Sequence, residues 1–105
     1  MTQQSAEFYI GQIIRHTGSN RRGVIVDIDP VFSAPDEFYK EVTPANPPKD
    51  KPWYHVLVDD AETQVYVAEQ FLCADESDEP ISHPYVDMFF SGFDRDHYIS
   101  RRSIN

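Results

Sequence analysis

Two pairs of carboxylates are the first candidates for chemistry. Asp27 and Asp29 point to the same side of one candidate strand, and Asp59-Asp60 closes another. Paired acids work as general acid and base when their surroundings push their pKa values apart. No nucleophile or glycine-rich cradle accompanies either pair. They read as solvated strand-end charges that discourage edge pairing. The four histidines, His16, His55, His83 and His97, are scattered. None has the HxH or HExxH spacing that places two imidazoles on one metal. His55 alternates with Trp53 and Leu57 and reads as a hydrogen-bonded barrel residue. Cys73 is the one cysteine, so it forms no internal disulfide and no cysteine cluster. It reads as a small buried hydrophobe. With no Walker loop and no dinucleotide fingerprint, the expectation is a protein that is not an enzyme and uses no metal or cofactor.

Binding is the remaining chemistry. Arg15, Arg21 and Arg22 surround a candidate hairpin turn, with Phe8 and Tyr9 nearby, and Arg101-Arg102 lies in the tail. These five arginines are the candidate phosphate contacts for DNA. Tyr85, Phe89, Phe90 and Phe93, with Met88 beside them, are the candidate contacts for a protein partner.

The elements that must hold these residues are mostly strands. Ile10–His16 is the first. Thr17–Arg22 is dense in turn formers. Gly23–Ile28 is rich in β-branched residues, with Val24, Val26 and Ile28 on the face expected to be core. Ile25, Asp27 and Asp29 share the face expected to meet water or a partner. Pro30 stops this strand, and residues 30–52 hold six of the eight prolines. A central strand cannot contain them, so this is a long loop with room for short helical turns around Asp36–Val42. Its aromatics, Phe32, Phe38 and Tyr39, are expected to fold back on the domain. Trp53–Val58 and Gln64–Ala68 alternate as strands, with Val65 and Val67 facing in. Glu69–Cys73 makes a helical turn and a short closing strand. The meander predicts a small all-β barrel of about five strands.

The remainder changes character. Residues 74–81 read as an acidic linker with almost nothing to bury. Ser82 caps a helix over Pro84–Ser91, which Gly92 ends, and the rest is an irregular tail. Tyr85, Phe89 and Phe93 recur at helical spacing.

Length and composition set the bounds. One domain is the default for 105 residues. Acids outnumber bases 18 to 9, for a net charge of −9. Between residues 59 and 96 there are eleven acids and a single base, Arg95. Such charge disfavours broad affinity for nucleic acid, which rests on neutralised phosphates. No apolar run approaches the roughly 18 residues of a membrane helix. The first residues lack the charged and apolar regions of a secretory signal. The expected setting is cytoplasmic.

The ordered blocks Ile10-Gly-Gln, Arg15-His16, Arg22–Pro30, Pro52–Asp59 and Tyr66–Glu69 resemble the HspQ family, also called YccV-like or hemimethylated-DNA-binding protein. The likeness runs over roughly residues 8–73, taken as the barrel core of a single domain spanning 1–105. The tail from 82, with His83-Pro-Tyr85, also looks like tails of some members. The resemblance implies an SH3-like barrel, homo-oligomers including trimers, and heat-shock proteins of bacterial cytoplasm. It implies a role in degrading denatured proteins alongside a Lon-type protease, or alternatively binding of hemimethylated DNA. It defines no catalytic residues. One position departs from the pattern: Arg21 stands where members often carry an aromatic residue, which adds charge to a turn that could touch DNA.

Overall fold

A computed structural model of the chain describes residues 6–34 and 48–101. Seven strands form two antiparallel sheets. The first holds β1 (Ile13–His16), β2 (Arg22–Asp29), β3 (Trp53–Val58), β4 (Gln64–Ala68) and β5 (Leu72–Ala74). Its order is β4-β3-β2-β1-β5. A 3-10 turn, Glu69–Phe71, joins β4 to β5. The second sheet is a hairpin of β6 (Phe90–Asp94) and β7 (His97–Ser100), preceded by one helical turn, α1 (Val86–Phe89).

β3 and β4 fall where alternation put them, and the 3-10 turn and β5 fall within and just past the expected Glu69–Cys73 turn and closing strand. The closed barrel does not form. β5 is three residues long and pairs only with β1, so β4 and β5 remain separate edges. The β1–β2 turn closes with His16 accepting from the Asn20 N–H at 2.7 Å. Asn20 takes φ 63°, a conformation its short side chain tolerates.

The assignment of faces on β2 changes midway. Ile25 pairs with Val56 but Asp27 pairs with His55, so Val26 is an extra residue in a bulge. Val24 and Val26 join one core cluster, with Ile13, Leu57, Ile81, Phe90 and Tyr98. Ile28, expected beside them, packs instead with the other cluster, which holds Ile14, Ile25, Tyr54, Val56, Val67 and Leu72. Ile25, expected to meet water or a partner, is completely buried. Val65, expected to face in, is 39% exposed. Cys73, expected to be buried, is exposed because it sits on the short edge strand. Prolines and aromatics of the loop within 35–47, including Phe38 and Tyr39, lie outside the described residues. Phe32 does fold back, 4.8 Å from Trp53 between ring centres.

The C-terminal part departs furthest. The helix expected over Pro84–Ser91 shrinks to α1, and Ser82 does not cap it. The expected irregular tail is the β6–β7 hairpin, with Gly92 inside β6. The register slips between Phe90 and Gly92. That bulge lets Phe90 and Phe93 pack toward the same core although they stand three residues apart, a spacing that imitates a helix. The hairpin covers the outer face of the first sheet. Phe90 is 1% exposed and Tyr98 is 6% exposed, burial worth about 2–3 kcal/mol for each ring. Tyr98 N–H donates to the Gly11 carbonyl at 2.8 Å. Gly11 has φ +98°, and a Cβ there would stand 2.2 Å from the Tyr98 oxygen. The position requires glycine on both counts.

Candidate functional site

The acidic segment after β5 is built into the fold. Asp75 has a side-chain exposure of 0% and lies between two arginines. It pairs with the Arg15 guanidinium and accepts from Arg22 Nε at 3.0 Å. Ser77 also donates to it. Burial alone would raise this carboxyl's pKa. The hydrogen bonds from Ser77, Arg15 and Arg22 outweigh burial and hold it well below the usual carboxylate range. Arg22 continues to Asp59 at 3.1 Å and to the Glu79 carbonyl. Asp59 then accepts from the Ser82 N–H at 2.7 Å. The expected acidic linker is therefore a strap, and Asp59 is a structural acceptor rather than a solvated charge.

Of the five candidate phosphate contacts, the structure brings Arg15 and Arg22 together on Asp75. Arg21 is exposed and its side chain gives one hydrogen bond, to the Asp59 carbonyl at 3.3 Å. Arg101 donates to the Asp87 carbonyl at 2.7 Å, in the hairpin unit. Arg102 lies outside the described residues. Of the four aromatics, Phe90 is in the core, Phe89 and Phe93 pack partly against it, and Tyr85 is 48% exposed. Met88 and Ile99 are exposed in the same C-terminal unit.

A polar network occupies the far end of β2. Asp29 accepts from the Tyr66 hydroxyl at 2.7 Å and lies 3.2 Å from His55 Nε2. Tyr66 also accepts from the Ser33 N–H. Burial, then the bond to Asp29, pushes the Tyr66 phenol up to about 12. Asp29 is thus an acceptor inside a network, not the solvated charge expected. Among the described residues, no cluster of three or more His, Cys, Asp or Glu side chains could hold a metal.

A groove of about 750 Å³ lies along β4. Every residue of β4, Gln64–Ala68, lines it. Ile14, Val56, Phe71 and Leu72 add an apolar wall, His16, Arg21 and Arg22 line one end, and Asp29 and His55 lie among its polar lining. Its size suits a bound side-chain-bearing ligand. Sequence reading placed β4 but missed the groove, because which strand ends at an edge depends on sheet order. One signal was available: Gln64-Val-Tyr-Val-Ala68 carries no charge inside the most acidic stretch of the chain.

An open β-sheet, an uncharged edge and an apolar groove define a small binding domain. A family model described as "Hemimethylated DNA-binding protein YccV like" matches residues 6–97. The chain belongs to this YccV-like family. The match extends past β5 through the strap and β6 and ends at His97, the first residue of β7. No helix among the described residues is long and apolar enough to cross a membrane.

Proposed function

We propose that the protein is a non-enzymatic heat-shock accessory factor in the degradation of denatured proteins, acting with a Lon-type protease in the cytoplasm. The observation that carries this reading is the groove along β4, where apolar side chains lie beside a strand edge that no strand among the described residues pairs with. Denatured chains offer the complementary features, extended backbone and exposed apolar side chains. Exposed Tyr85, Met88 and Ile99 supply a second apolar surface for the protease. Assembly into homo-oligomers such as trimers, and an SH3-like origin of the sheet, belong to the same reading.

The test is the rate at which a Lon-type protease degrades a denatured client as this protein is added. A rate that rises and saturates is expected. An unchanged rate at every concentration would overturn the reading.

The family's description favours a second reading, recognition of hemimethylated DNA. Arg21 is the residue that supports it, since its charge is not matched by a bonded carboxylate. Anisotropy of a hemimethylated duplex against its unmethylated twin, at near-physiological salt, separates the two. Methylation-dependent binding supports DNA recognition. Weak binding that ignores methylation and fades with salt removes it.

A further inference from the structure

The groove meets β4 in an informative way. Successive side chains of a strand point to opposite faces, so a cavity over one face touches alternate residues. This cavity touches all five from Gln64 to Ala68. It therefore runs along the edge of β4. The hydrogen bonds agree. Val58 N–H donates to the Thr63 carbonyl and Glu69 N–H to the Pro52 carbonyl, each at 3.1 Å. Alternation then places the bonded pairs at 58–63, 56–65, 54–67 and 52–69. Gln64, Tyr66 and Ala68 turn their N–H and C=O groups away from β3, on the edge that the groove follows, with Ala68 itself buried. β4 is terminal in the sheet, and no strand among the described residues pairs with that side. Edges are commonly blunted by lysine or proline, and β4 has neither.

Arg21 lies at the Gln64 end of the groove, next to the turn that carries Asp60 and Glu62. The Arg22 charge is committed to Asp59 and Asp75. Arg21 is exposed and its guanidinium is bonded to a carbonyl rather than a carboxylate. His16 Nδ1 accepts the N–H groups of Gly18 and Ser19, both at 3.0 Å, so its Nε2 carries a proton to donate.

We infer that β4 accepts an added strand: an extended segment of another polypeptide, with apolar side chains over Val65 and Val67 and a carboxylate at Arg21. A carboxylate at the C-terminus of that segment makes it run antiparallel to β4. This rests on the protein-binding reading above and specifies its ligand as an extended, acid-terminated apolar peptide.

The probe is a fluorescein-labelled peptide of alternating valine and threonine with a free C-terminal carboxylate. Its twins are amidated at the C-terminus or N-methylated at alternate backbone nitrogens. Anisotropy with the full chain is expected to show saturable binding of the parent peptide. N-methylation should weaken it at least tenfold, because it removes the donors of strand pairing. Amidation should weaken it several-fold, and Arg21→Gln should abolish that difference. Gln64→Pro removes one outward N–H at the first residue of an edge strand, where proline is tolerated. It should weaken binding about tenfold without moving the melting temperature. Val65→Asp is the second edge variant, with the same expectation.

Equal binding of the N-methylated twin overturns the inference. So does a mass above one chain in sedimentation that the peptide cannot compete with and Gln64→Pro dissolves, since a second copy then owns the edge. If no peptide binds while clients are still degraded faster, the edge site fails and the accessory role stands. If the peptide binds as described while degradation never accelerates, the edge site stands and the accessory role fails.

Discussion

Arg22 Nε donates to Asp75 Oδ2 at 3.0 Å, joining residues 53 positions apart. The pair links the first hairpin to the strap that follows β5, and Arg22 then reaches Asp59. One guanidinium thereby holds three parts of the chain. An arginine in this state has little charge left for a phosphate. Basic residues counted in a sequence are not basic surface until their carboxylate partners are known.

Asp75→Asn keeps the shape and removes the charge. It leaves two arginines facing one another over a side chain that is itself fully buried. Chemical denaturation should show a loss of about 2 kcal/mol, below the range for wholly buried pairs because Arg15 is partly exposed. Asp78→Asn, which lacks these bonds, should change stability by less than about 0.5 kcal/mol.

Acid should act through the same group. The Asp75 carboxyl is depressed from its ordinary value of 3.8. Its contribution to stability is complete above that pH and falls away as pH drops through the folded-state value. Melting temperature should therefore fall steeply below about pH 4. Asp75→Asn should be less stable at pH 7 and show a shallower acid limb. Parallel limbs for the two proteins would assign the acid sensitivity elsewhere.

Alkali should act through Tyr66. Its phenol is raised to about 12 in the folded chain, while an unfolded tyrosine ionises near 10. The associated stability is whole below pH 10 and is lost as pH climbs from 10 to 12. Tyr66→Phe should cost about 1 kcal/mol at pH 7, by freeing Asp29 from one donor. It should also reduce the alkaline decline, leaving the part that belongs to Tyr54, raised by burial and by Glu69, and to Tyr98, raised by burial.

Gly11→Ala should loosen the hairpin. Alanine meets the Tyr98 carbonyl and must also adopt φ +98°. A destabilisation of about 3 kcal/mol or more is expected, in the range of strain combined with a lost backbone bond. Hydrogen exchange should speed first in β6 and β7, with β3 changing last. Uniform acceleration across both sheets would mean that hairpin and sheet open as one unit.

β3 and β4 were legible because each alternates, and alternation survives whatever the neighbours are. The bulge at Val26 was not, since an extra residue leaves no mark in the alternation before it. The hairpin was misread for the same reason. A slip at Ser91 brings Phe90 and Phe93 to one side and makes a strand look helical. The role of Asp75 was hidden because a run of acids reads alike whether it is solvated or clamped. Of the binding residues, Arg21 kept an exposed position, while Arg22 and Phe90 were claimed by the fold. The groove required knowing that β4 has no outer neighbour among the described residues.

The bond between Tyr98 and Gly11 has a consequence for synthesis. Ribosomes deliver the chain from its N-terminus, so β1 through β5 emerge before the hairpin that covers them. Until Phe90 and Tyr98 follow, Ile13, Val24, Val26 and Leu57 lack the rings that bury them. A nascent copy therefore displays the same kind of apolar surface as a denatured protein until Phe90 and Tyr98 have emerged.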